Sequence, residues 1–144
     1  MRPREIKICV FVDSDKHSSA ELTSMLGLKP DEAWDLGSPF TFRAGGKPKP
    51  HAFSRWAAVE RAKGNDDWDA ATDRLFSRLQ PLEAKFQGLP PEAHVSFTLF
   101  VTEDNDVFGL GLDKRHVRFI AAIGASIEQS FVVSGADPSE APNG

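Results

Sequence analysis

The sequence contains no tyrosine and one cysteine, Cys9, among its 144 residues. Without a phenolic hydroxyl, no chemistry can be assigned to one. With a single thiol an intrachain disulfide is excluded, which fits a reducing, cytoplasmic setting. No stretch approaches the ~20 apolar residues of a membrane span, and Met1 to Glu5 lacks the apolar segment of a secretion signal, since the short run after it is better read as a strand. An excess of positive charge is also missing. The 17 Lys and Arg are outnumbered by 21 Asp and Glu, for a net charge of -4, which argues against nonspecific coating of nucleic acid while leaving room for a local basic groove. Gly45-Gly46-Lys47 lacks the spacing of a phosphate loop and runs into Pro48, and Gly109-x-Gly111 lacks the third glycine of a dinucleotide fingerprint.

What is present reads as one α+β domain over residues 1–133, followed by a polar tail, 134–144, expected to be disordered. Ile6 to Val12 places β-branched Ile6, Ile8, Val10 and Val12 on one side of a strand, with Cys9 and Phe11 making the other side partly apolar. Ser18 and Glu21 form a capping box that starts a helix. Leu22, Met25 and Leu26 line one face of that helix, and Gly27 closes it in the left-handed conformation ahead of Pro30. Asp31 to Pro39 is read as an ordered loop or ragged edge strand. A short strand at Phe40 to Phe42 and a mobile basic hairpin tip at Ala44 to His51 precede a strand from Phe53 to Arg61, expected to run antiparallel to Phe40-Phe42.

Asn65 to Asp67 caps a helix from Asp66 to Gln80, which Pro81 divides from a second segment ending at Gln87. His94 to Thr102 is the clearest strand, with Val95, Phe97, Leu99 and Val101 pointing inward. A turn at Glu103 to Asp106 leads to a strand from Val107 to Leu112. Asp113 then caps a helix whose apolar side is expected at Val117, Ile120, Ala121 and Gly124, and Ile127 to Val133 forms the last strand. The order β-α-β-β-α-β-β-α-β begins as a ferredoxin-like split βαβ: a two-layer sandwich with a mainly antiparallel sheet and its helices on one face.

Two sets of residues could carry function. Asp13-x-Asp15-x-His17 offers carboxylates and an imidazole that could hold a divalent ion, although Asp and Ser before a helix more often close turns and cap donors. No cofactor is expected. Cys9 reads as core, and His51, His94 and His116 as solvated. The second set is aromatic and basic: Trp34, Phe40, Phe42, Phe53 and Trp56 interleave with Arg43, Lys47, Lys49 and Arg55. The plainer account makes them a cover for the sheet edge. The sharper one makes Trp34, Arg43, Arg55 and Trp56 a binding face, because Trp and Arg are the usual anchors of interfaces. Stacking of single-stranded nucleic acid ranks third, given the acidic total.

The run Leu22 to Trp34, with its Leu26-Gly27-Leu28-x-Pro30 segment, then Gly37, Trp56, a long leucine-rich helix and Ile123-Gly124-Ala125-Ser126-Ile127, resembles the bacterial family known as DUF4279, a domain of unknown function. The resemblance covers Ile6 to about Val133. It implies a small bacterial α+β domain with no established activity. Phe131 stands where the family pattern suggests a tyrosine. The expectation that follows is a non-catalytic binding or interaction domain with an unknown protein partner, and with a homodimer through sheet edges plausible. The alternative is a small-molecule- or metal-binding domain, or a minor enzyme, with its pocket between the loop Asp13 to His17 and Trp34.

Overall fold

The structure is a computed structural model that describes residues 5–41, 45–63, 68–103 and 112–133. Its centre is β1 (Glu5–Ser14), which pairs antiparallel with β5 (Ser54–Lys63) on one side and with β6 (His94–Glu103) on the other. β2 (Glu32–Trp34) adds antiparallel to β5, and β7 (Ser126–Val133) adds parallel to β6, giving the five-stranded order β2-β5-β1-β6-β7. A separate two-stranded ribbon joins β3 (Pro39–Phe40) to β4 (Lys49–Pro50).

The alternation of β1 explains the layering. Ile6, Ile8, Val10 and Val12 point into the main core, where they meet Leu22 and Leu26 of α1 (Ser19–Leu26), Leu75 and Leu79 of α2 (Trp68–Leu79), Phe86 of α3 (Glu83–Gln87), and Phe119 and Ile120 of α4 (Lys114–Ala122). All four helices contribute to this one cluster. Cys9 and Phe11, on the other side of the strand, form a smaller cluster with Ala57, Val59 and Phe100 that includes no helix residue. The sheet therefore has one face covered by the described helices and one that no described helix joins, termed the open face, whose centre at Cys9, Phe11 and Ala57 is nonetheless buried.

The local signals act as physics requires. Ser18 accepts from the Glu21 backbone at 3.1 Å in a complete capping box. Gly27 takes φ 72, a left-handed conformation that disfavours any Cβ. Pro81 sits in a short 3-10 turn, Gln80–Leu82, between α2 and α3, where its missing N–H costs no helical bond. Among the described residues, no helix is long and apolar enough to cross a membrane.

Two expectations are corrected. The strand at 53–61 does not pair with the segment at Phe40; it lies inside the sheet between β1 and β2. It is ten residues long and buries Trp56 and Ala58 on one side and Ala57 on the other. The ribbon, in contrast, pairs Pro39 with Pro50, and neither proline has an N–H to extend a ladder. The apolar side of α4 is also turned by one residue. His116, Phe119 and Ile120 are buried, while Val117 is 43% exposed.

Phe42, the Asn65 to Asp67 cap, the turn at 104–106, the strand proposed over 107–111 and the tail at 134–144 lie outside the described residues.

Candidate functional site

On the open face, register brings three strands to one point. Arg55 of β5 stands opposite Asp13 of β1 and Trp34 of β2. Its Nε donates to Asp13 Oδ1 at 2.7 Å and its Nη2 to Oδ2 at 2.8 Å. This fork-to-fork geometry fixes the guanidinium in both position and plane. Both side chains are largely shielded, at 18% and 16% exposure, so the pair is held more firmly than an ion pair in open water.

The guanidinium lies 3.7 Å from the Phe11 ring centre, 4.7 Å from that of Trp34 and 5.2 Å from that of Phe53. Trp34 stacks on His51 at 4.3 Å with an interplanar angle of 8°, and His51 stacks on Phe40 at 4.4 Å. Phe11, Arg55, Trp34, His51 and Phe40 thus form one continuous stack. Cations over aromatic faces and offset aromatic pairs each contribute about 0.5–1.5 kcal/mol. The stack ties the β3-β4 ribbon to the sheet, helped by His51 N–H donating to Ser38 O and Gly37 N–H donating to His51 O. Trp34 Nε1–H donates to Phe53 O at 3.0 Å, which fixes the indole edge. Lys7 pairs with Glu32 at 2.9 Å beside the Phe100 ring.

Trp56 does not join this face, which corrects its place among the binding candidates. It is fully buried on the helix-covered side, with its edge against Phe86 and its Nε1–H donating to Leu28 O. It directly follows Arg55 in the chain, and a strand turns successive side chains to opposite faces. Arg43 lies outside the described residues.

Asp13, Asp15 and His17 are not gathered into one donor set. Asp13 is occupied by Arg55 on the open face, Asp15 is exposed, and His17 spans two carboxylates, with Nδ1 and Nε2 each 3.2 Å from Glu21 and Glu92 respectively. Among the described residues no group of three or more His, Cys, Asp or Glu could hold a metal ion. The hydrogen bond to Glu21, with that to Glu92, holds the His17 imidazole above its ordinary pKa, and His17 in turn holds Glu21 below the usual carboxylate range. Ser14 Oγ accepts from the backbone of Lys16 and His17, so the loop is closed by a hydroxyl turn. Beside it is a shallow cavity of about 210 Å³ lined by Asp15, Lys16, His17, Asp35, Leu36 and Ser54.

The histidines divide. His94 is exposed, as expected, and lies 3.3 Å from Ser126 Oγ. His51 is half-buried in the stack. His116, in the first turn of α4, is 2% exposed, with Nε2 2.7 Å from Oδ1 of Asp73 in α2. It borders a groove of about 400 Å³ between α2 and α4. The signal that could have found it is phase: counting back from Phe119, Ile120 and Ile123 places His116 on the buried stripe. Burial pushes the Cys9 thiol up to about 12, so it remains protonated at neutral pH.

The mostly antiparallel sheet, with helices on one face and a stacked aromatic and basic cluster on the other, defines a small α+β domain. The sequence pattern of the family described as domain of unknown function DUF4279 matches residues 5–133, and the chain belongs to that family. No curated protein and no solved structure matches it.

Proposed function

We propose that this protein is a binding domain whose contact surface is the open sheet face around Trp34 and Arg55. One observation carries the proposal: the Phe11-Arg55-Trp34-His51-Phe40 stack holds an arginine and a tryptophan in fixed orientation on a face that no described helix joins. Anchors ordered before binding lose little conformational entropy when a partner arrives, and Trp and Arg are the side chains most often found at the energetic centre of interfaces. Leu36, 51% exposed beside Trp34, adds apolar area to the same edge. The placement of β5 between β1 and β2, and of β1 between β5 and β6, supports a ferredoxin-like ancestry for this scaffold, with β7 as an added strand.

The test is capture of a partner from lysate of the source organism with the parent chain and Trp34→Ala as parallel baits, each checked for folding. A protein held by the parent and lost by the folded variant supports the proposal. Equal retention by both removes Trp34 from the surface.

A second reading, a small-molecule site, is supported by the cavity beside the 13–17 loop, which is lined by Asp35, Leu36 and Ser54 rather than by Trp34. Its volume falls below the roughly 300–1,000 Å³ of small-molecule sites, which ranks it below the open face. A metal and metabolite screen for thermal stabilisation tests it directly.

A further inference from the structure

The charge of this chain is unevenly placed. From Leu36 to Val59 the sequence carries Arg43, Lys47, Lys49 and Arg55 and no Asp or Glu, within a protein of net charge -4. This acid-free segment contains the β3-β4 ribbon and three members of the stack, Phe40, His51 and Arg55. Lys47 and Lys49 are exposed, and neither has a carboxylate partner among the described residues. Arg61, Arg74, Arg78 and Arg115 are paired with carboxylates, whereas Lys16, Lys29 and Lys114, like Lys47 and Lys49, have no ion pair among the described residues, so it is the acid-free run that sets this segment apart. Arg55 uses Nε and Nη2 on Asp13, which leaves Nη1 without a partner among the described residues.

We infer that the open face takes an acidic, extended segment of another polypeptide, with Arg55 Nη1 as the oriented hydrogen-bond donor and Lys47 and Lys49 as the flanking charges. The inference rests on the proposed function and names the chemistry of its partner. Asp13 neutralises Arg55 but also fixes its plane, so Nη1, which has no partner among the described residues, has a set direction for an incoming carboxylate or carbonyl. The lysines contribute by attraction over several ångströms, which raises the association rate and makes binding sensitive to salt.

Single-stranded nucleic acid also carries negative charge, but its usual recognition needs aromatic faces free for bases. Trp34 has His51 on one face and the Arg55 guanidinium close to its ring as well, while His51 lies between Trp34 and Phe40. The rings of the stack are occupied by one another. A polypeptide carboxylate needs only the donors and the charge.

The experiment is fluorescence anisotropy of a labelled glutamate-rich peptide titrated with the parent chain and with Lys47→Glu/Lys49→Glu. An oligothymidylate of equal length is titrated in parallel. The two lysines are exposed and have no ion-pair partner among the described residues, so the double variant should melt like the parent. The expected result is saturable peptide binding that weakens as salt rises and falls by about tenfold or more in the double variant. Absence of peptide binding, binding unchanged by the charge reversal, or tighter binding of the oligonucleotide each overturns the inference. A captured partner lost by Trp34→Ala but indifferent to Lys47→Glu/Lys49→Glu leaves the face standing and refutes its acidic chemistry. Indifference to both refutes the face as well.

Discussion

The two faces of the sheet use neighbouring residues of one strand for opposite purposes. Trp56 points into the helix-covered core, where it is fully buried against Phe86. Arg55 points to the open face, where an ion pair and aromatic rings hold it. The chemistry follows the side: aliphatic residues with tilted and edge-to-face aromatic pairs under the helices, and parallel-stacked rings with paired charges on the other face. Large aromatics near one another in sequence therefore do not form one surface. On a strand, parity decides which are core and which are available.

Truncating a tryptophan on each side of the sheet should separate the two faces by the largest margin. Trp56→Ala should cost about 3–5 kcal/mol, the loss typical of a large buried aromatic with its cavity, seen as a collapse of the thermal midpoint. Trp34→Ala removes stacking contacts and the hydrogen bond to Phe53 O from a half-buried position, and denaturant melts should show about 1–2 kcal/mol with cooperativity intact. Equal losses would mean that both tryptophans serve the core.

The open face can be examined further through Asp13 and Arg55. A double-mutant cycle of Asp13→Asn and Arg55→Gln should return a coupling of about 1–2 kcal/mol, because the pair is shielded and bidentate. A coupling near zero would mean that the fork is not closed in solution.

A smaller effect is expected at Gly27 on the covered side. Its left-handed φ and the Lys85 ammonium close to where a Cβ would lie make Gly27→Ala cost about 1 kcal/mol by chemical denaturation.

The smallest is a pH effect at His17. Its folded pKa is raised, so its contribution is fully present below the unfolded value of about 6.5 and is lost as pH rises through the folded value. Stability measured from about pH 6 upward should show this decline in the parent and not in His17→Gln; identical profiles would remove the Glu21 and Glu92 bridge from the account.

Much of the covered face was legible in the sequence because it obeys strict periods. The alternation of Ile6 to Val12, the Ser18 and Glu21 capping box, Gly27, Pro81 and the inward set Val95 to Val101 all signal locally. The candidate site was legible only in composition. Aromatic and basic residues were conspicuous between α1 and α2, but which of them meet depends on pairing β5 with β1 and β2, and no local signal specifies that register. The same limit hid the Asp13 and Arg55 fork and the Asp73 and His116 pair, whose members lie 42 and 43 positions apart. It also let Trp56 be grouped with Trp34, because alternation separates the faces of one strand and says nothing about which face a neighbouring strand shares.

The measurement that bears most directly on the open face as contact surface is amide hydrogen exchange of the chain alone and with its captured partner. New protection is expected in Glu32 to Phe40 and Lys47 to Ala57, with α2 and α4 unchanged. Protection confined to α2 and α4, with those two segments unaltered, would contradict it and move the binding surface to the helix side.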